Sequence, residues 1–237
     1  MKKNAWQKTG IIWLITGLIF LIVIGLMWRF SKNNQLLSSE PDASEFVTWV
    51  DRGIPESIAA ELELRIQTLE ASLEANTNEK KDISQILELG NLKYTYGDLA
   101  GAKEQYERIL LTHPTDAPAH ENLGQTLLEM GDVAQAEEHW RAAIASSPYE
   151  VTYIKLADLI DASFFERHAE IQPLLEEAIA TLGQSPALLV RLGNWYRQEK
   201  DFERALSHYQ VALRLQPENT SLIQLINEVK EEQKNSL

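Results

Sequence analysis

The 237-residue chain contains no cysteine, which removes disulfides, thiolate metal sites, cysteine nucleophiles and lipid attachment through a cysteine. Basic residues are scarce, 22 Lys and Arg against 35 Asp and Glu. Acid is missing altogether from the first 39 positions, where Lys2, Lys3, Lys8, Arg29 and Lys32 are the only charged side chains. Beyond residue 32 the balance is 17 basic to 35 acidic residues, a formal charge of −18. Such a surface repels phosphates, so nucleic acid is not an expected partner. No GxxxxGK loop, GxGxxG fingerprint or GxSxG elbow occurs. The histidines at 113, 120, 139, 168 and 208 are scattered, and His120-Glu121 begins an HExxH motif only to meet Gly124 where the second histidine belongs. The chain is therefore not expected to be an enzyme, nor to carry a metal or cofactor.

What is present begins with one long apolar run. Ile11 to Trp28 holds 18 uncharged residues, which as a helix reach about 27 Å, close to the hydrocarbon thickness of a bilayer. Trp6, Trp13 and Trp28 suit its interfaces. A cleaved signal would need a shorter apolar core and small residues at the cut, and Met27-Trp28-Arg29-Phe30 supplies neither. The expectation is a single transmembrane helix over 10–30 behind a basic tail, 1–9. The Lys/Arg bias puts that tail in the cytoplasm and the remainder outside it, in a bacterial periplasm or at the cell exterior. Residues 31–55 read as a polar linker. Within it Phe46, Val47, Trp49 and Val50 fit a short amphipathic helix capped by Asp42 or Ser44, with its aromatic side chains on the membrane or on the domain that follows.

Beyond residue 82 the chain repeats itself at a period of 34. Leu89-Gly90 returns as Leu123-Gly124, Gly97 as Gly131, Ala102 as Ala136 and Pro114 as Pro148, while Tyr106 is answered by Trp140. Each unit holds two stretches with apolar residues three and four apart, split by a Gly-Asp pair, which predicts helix–turn–helix and a stack of hairpins. Gly90 and Ala102 are small where the two helices of a pair cross, the aromatic residue fills space beside the next pair, and the proline ends the second helix. These residues resemble the tetratricopeptide repeat (TPR) pattern. A fourth unit fits it through Leu192-Gly193, Tyr196, Ala205, Tyr209, Ala212 and Pro217. The third is weaker: Tyr153, Leu156, Ala157 and Ile160 suit a first helix, and Ile171, Leu175 and Ala178 a second. An enlarged turn at 162–167 separates them, in which Phe164 and Phe165 either pack inward or stand exposed.

The resemblance implies an all-α fold, an α-solenoid of about four TPR hairpins over 83–217 (83–116, 117–149, 150–184 and 186–219). Flanking helices cap it at 56–80 and 220–237. The stripe Ile58, Leu62, Ile66, Leu69 and Leu73 suits an end cap, the preferred reading, or a short coiled coil giving weak homo-oligomers through 57–76. In the last helix Leu222, Leu225, Ile226 and Val229 should face inward and Lys230-Glu231-Glu232 outward.

In this family the first helices of the pairs line a concave face on which peptides or partner proteins lie. Carried over by position, that face comprises Asn91, Tyr94, Asn122, Gln125, Glu129, Lys155, Asp158, Arg191, Asn194 and Arg197, or these form no more than a solvated helix surface. A carboxylate clamp of the kind some relatives use would match Asn91 and Asn122, with Lys155 replacing its arginine. Leu87 and Val151 stand where its two lysines belong, so that function is not expected. The resemblance implies a membrane-anchored scaffold or adaptor that recruits protein partners, with the bilayer engaged only through 10–30. The alternative is an extracytoplasmic chaperone-like or assembly factor, akin to translocon-associated factors or accessory subunits of cytochrome c maturation.

Overall fold

The computed structural model describes residues 46–75 and 83–236. The basic tail, the apolar run at 10–30, most of the linker and residues 76–82 lie outside them. Among the described residues no helix is long and apolar enough to cross a membrane. From Val47 onward the chain forms one compact unit. It is all-α, with ten α-helices among the described residues: α1 (Glu56–Ala75), α2 (Ile83–Tyr96), α3 (Leu99–Thr112), α4 (Ala117–Met130), α5 (Val133–Ser146), α6 (Glu150–Ser163), α7 (Ile171–Leu182), α8 (Pro186–Gln198), α9 (Phe202–Leu215) and α10 (Thr220–Asn235). Each packs chiefly on its neighbours in sequence, and α2 also meets α4, as α6 meets α8. The result is a solenoid of antiparallel hairpins.

The turns explain the Gly-Asp pairs. Gly97 and Gly131 adopt φ of 105° and 94°, where a helix ends most cheaply in glycine. The following Asp98 and Asp132 cap α3 and α5, each accepting from the amide three residues on at 2.8 and 3.1 Å. Asp201 caps α9 in the same way at 3.0 Å, but behind Lys200, a non-glycine held at φ 59°.

The crossing of each pair is set by a ring lying on a glycine. A Cβ on Gly90, Gly124 or Gly193 would stand 2.6, 2.7 and 2.5 Å from the rings of Tyr106, Trp140 and Tyr209. The aromatic residue thus closes its own hairpin as well as reaching the next one, where Tyr106 packs near Leu123 and Leu127. No side-chain polar atom buried among the described residues lacks a hydrogen-bond partner.

The third hairpin departs from the pattern because it has Phe165 where its predecessor has Gly131. Without a left-handed glycine or a capping aspartate, α6 ends at Phe164 and a 3-10 helix, Phe165–Glu170, intervenes before α7. The enlarged turn therefore extends to 170, beyond the 162–167 expected. Phe164 packs on the core with the Arg167 guanidinium 4.9 Å from its ring, whereas Phe165 is 86% exposed. Glu137 anchors the insertion: it pairs with Arg141 at 2.8 Å and Arg167 donates to it. The Arg167 and Arg141 hydrogen bonds hold its carboxyl below the usual range.

The two ends differ from simple caps. In α1 only Ile66 and Leu73 are buried and Ile58 is exposed, so its apolar stripe is covered through its second half. In α10, Leu222, Ile226 and Val229 face the core. Glu232, expected in solvent, instead turns onto α8 and pairs with Arg197. Residues 47–52 form no helix; they run extended along the first hairpins, with a single bridge between Trp49 and Asp98.

Candidate functional site

Most of the bonds made by the residues assigned to the inner face reach about one repeat along the chain, to one another or to neighbours outside the set. Asn122 Nδ2 donates to Asn91 Oδ1 at 2.9 Å, the Tyr94 hydroxyl to Glu129, and Gln125 Nε2 to the same carboxylate at 3.3 Å. Lys155 reaches back to Glu121 at 3.3 Å. Arg191 holds Asp158 at 2.6 Å, Asp161 at 2.9 Å and the Ala157 carbonyl at 3.1 Å, and Arg197 holds Glu232. Asn91, Tyr94, Asn122 and Gln125 share a cavity of about 240 Å³ with Thr95 and Tyr106. These bonds lock the register between successive first helices, and they leave the amino-terminal half of the face largely self-satisfied.

Two of the asparagines serve their own hairpins. The Tyr106 hydroxyl donates to Asn91 Oδ1 and the Tyr209 hydroxyl to Asn194 Oδ1, both at 2.8 Å. Burial pushes the Tyr209 hydroxyl up to about 12, so it stays a donor. In the second hairpin the ring is Trp140, whose Nε1 donates to the Glu121 carbonyl at 3.2 Å, and Gln125 stands in the asparagine's place.

The carboxy-terminal half is open. A groove of about 510 Å³ runs between α6, α8 and the start of α10. Its apolar floor includes Ile154, Val190, Leu222 and Leu225, with Asn194, Asn219 and Arg191 as polar markers. Of the ten inner-face positions only Arg191 and Asn194 line it. The sequence reading missed its apolar residues because Ile154, Val190 and Leu225 look like ordinary core positions. The signal was the last helix: an α10 shaped like another first helix extends the inner face by one step. Among the described residues no group of three metal-ligating side chains converges.

Two histidines meet away from this groove. His120 Nε2 lies 3.0 Å from the Pro114 carbonyl and its Nδ1 lies 2.9 Å from His139 Nδ1. The carbonyl accepts only, so Nε2 carries the proton, and in the neutral pair His139 Nδ1–H donates to His120 Nδ1. Burial, then the neighbouring His120, depresses His139, which also faces Glu138, Lys103 and Asp132. Burial likewise depresses His208, beside Glu176 and Arg204. A histidine held below its unfolded value binds fewer protons folded than unfolded, so stability falls as pH drops below about 6.5. The carboxylates of Glu137, Glu170 and Glu232, depressed chiefly by arginine hydrogen bonds, add a second loss as pH falls through their folded values. Thermal melts should therefore decline first as pH falls below about 6.5 and again below about pH 4.5. His139→Gln should shrink the first decline to the share His208 contributes and leave the second; an unchanged first stage would contradict the assignment.

With the hairpins and groove placed, the kinship of the fold is plain. Two tetratricopeptide repeat family models match, one over residues 87–151 and one over 186–219, so these segments carry tetratricopeptide repeats. The structure is similar to a crystal structure of MamA, 20% identical, with a TM-score of 0.58 over 73% of this chain and 99% of that one. It is similar to a tetratricopeptide repeat protein from Parabacteroides merdae, 12% identical, TM-score 0.60, over 73% of this chain and 67% of that one. A third likeness is to YrrB, described as a TPR protein with an unusual peptide-binding site, 16% identical, TM-score 0.55, over 72% and 86% of the two chains. At these identities the likeness establishes the fold. No curated protein matches the chain.

Proposed function

We propose that this chain is a membrane-anchored interaction scaffold that holds an extended segment of a partner protein in the groove between α6, α8 and α10. The observation that carries the reading is the groove itself, about 510 Å³ with an apolar floor and the Asn194 amide in its lining. That volume suits a few apolar side chains, and Asn194, whose Oδ1 accepts from Tyr209, keeps its amide Nδ2 as a donor for an extended backbone. The formal charge of −18 beyond residue 32 favours a cationic partner segment. TPR proteins generally bind other proteins, and YrrB is described as having a peptide-binding site. Anchoring rests on the sequence alone: residues 11–28 are long and apolar enough to span a bilayer, and the Lys/Arg bias favours repeats outside the cytoplasm. Tethering confines the search to partners near the membrane and raises their effective concentration.

A chaperone-like role is the second reading, favoured by a floor built from Ile154, Val190, Leu222 and Leu225, which selects apolar character over sequence. Both readings place the partner on Ala187, an exposed residue at the mouth of the groove. Ala187→Trp in the full-length protein should fill the groove and weaken partner co-purification at least about tenfold, on the order of 1.4 kcal/mol. Its melting temperature should stay near the wild-type value, as for other surface substitutions. Unchanged retention of the partner would remove the groove from the account.

A further inference from the structure

The amino-terminal segment of the compact unit sits on the repeats in the manner of a bound peptide. Val47 N donates to the Met130 carbonyl at 3.0 Å, Val50 N to the Gly97 carbonyl at 2.9 Å, and Ala100 N to the Thr48 carbonyl at 3.1 Å. Met130 and Ala100 lie at a helix end and a helix start, where backbone groups have no partner within the helix. The side chains bind separately from the backbone. Trp49 meets the Tyr96 ring edge-on at 5.3 Å. Arg52 lies 4.7 Å over the Tyr94 ring, donates to the Tyr94 carbonyl at 3.3 Å and pairs with Glu129 at 2.7 Å.

Gly97 makes the approach possible. A Cβ there would stand 2.0 Å from the Val50 carbonyl oxygen, whereas Gly131, with a similar positive φ, has nothing within 4 Å. The contact is shallow, with Val47 45% and Trp49 52% exposed. Directly after Arg52, Gly53 takes a φ of 60° with open space around it, a natural point of release.

We propose that this row of hairpin turns is a second peptide-binding site, separate from the groove, for an extended segment bearing an aromatic residue followed three positions later by arginine. Residues 47–52 fill it in cis. Backbone pairing supplies the affinity, and the Tyr96 and Tyr94–Glu129 positions supply the selection. A partner segment of the same chemistry takes the site when the cis segment lifts, and Tyr94 and Glu129 then pass from an internal bond to an intermolecular one.

The test uses full-length protein and a fluorescent peptide of residues 47–54. W49A/R52A weakens the cis segment and leaves its receptor intact, so it should bind the peptide at least about tenfold more tightly than wild type. Adding Gly97→Ala should abolish that gain, because the new methyl meets the incoming carbonyl. Gly131→Ala carries the same backbone strain without the clash and should preserve the gain, as should Ala187→Trp, which tests the groove independently. Equal binding to wild type and W49A/R52A, or to neither, overturns the proposal. Hydrogen exchange on the wild type decides the matter if the double variant is poorly folded. Amides of Val47, Val50 and Ala100 should exchange at least about 100-fold faster than those of Leu123 and Leu127, and equal protection would show a fixed structural element instead.

Discussion

Replacing Trp140 by alanine is expected to cost about 3–5 kcal/mol and to split the thermal transition in two. Trp140 is 1% exposed, lies against Gly124 and packs among Tyr106, Leu123, Leu127, Ala136 and Leu159, so it joins the second hairpin to both neighbours. Its indole also donates to the backbone carbonyl of Glu121, the residue whose carboxylate receives Lys155. A native domain holds about 5–15 kcal/mol in all, and a stack of repeats survives only while neighbouring interfaces do. Loss of this ring should uncouple the first two hairpins from the rest. Calorimetry would show two transitions where the wild type has one, while Trp140→Phe should keep a single, lower one. A cost under about 1 kcal/mol would mean the ring is not the joint between hairpins.

Asp161→Ala should be the next most damaging change, at about 2–3 kcal/mol. The Arg191 side chain is 9% exposed and is held by Asp161, itself 25% exposed, and by Asp158, which is 60% exposed. Removing Asp161 leaves a nearly buried guanidinium with one solvent-screened carboxylate and the Ala157 carbonyl. It also removes one of the partners of His168, 3.2 Å away, which keeps Glu199 at 3.1 Å. Because Arg191 borders the groove, partner binding should weaken with stability. Asp158→Ala, at the exposed end of the same cluster, should cost well under half as much. Urea denaturation of the two variants makes the comparison, and equal losses would place the burden on the Asp158 pair.

The repeat was legible because packing imposes it. Gly90, Gly124 and Gly193 recur with Tyr106, Trp140 and Tyr209 since each ring needs a bare backbone beneath it. The Gly-Asp turns were equally plain, a helix end and a helix start written side by side. What the sequence hid was pairing. Asn91 and Asn194 resembled ligand contacts, yet each accepts its own hairpin's tyrosine hydroxyl. The clue is covariation within the chain: asparagine accompanies tyrosine, and where Trp140 has no hydroxyl the position becomes Gln125. Residues 47–52 alternate too briefly to separate a short helix from an extended segment, because their conformation is set by turns 45 or more positions away. The third turn could not be sized either. Phe165 in place of glycine says how a helix does not end, without saying that six residues of 3-10 helix follow.

The open half of the inner face is expected to hold another polypeptide. Photo-crosslinking separates the outcomes, with a photoreactive residue at Ala187 in the groove, or at Ser207 on the exposed side of α9, in full-length protein inside intact cells. Protein adducts are expected from position 187, suppressed when Val190→Arg is added, with background labelling from position 207. Equal labelling from both positions, or adducts at 187 indifferent to Val190→Arg, would contradict it.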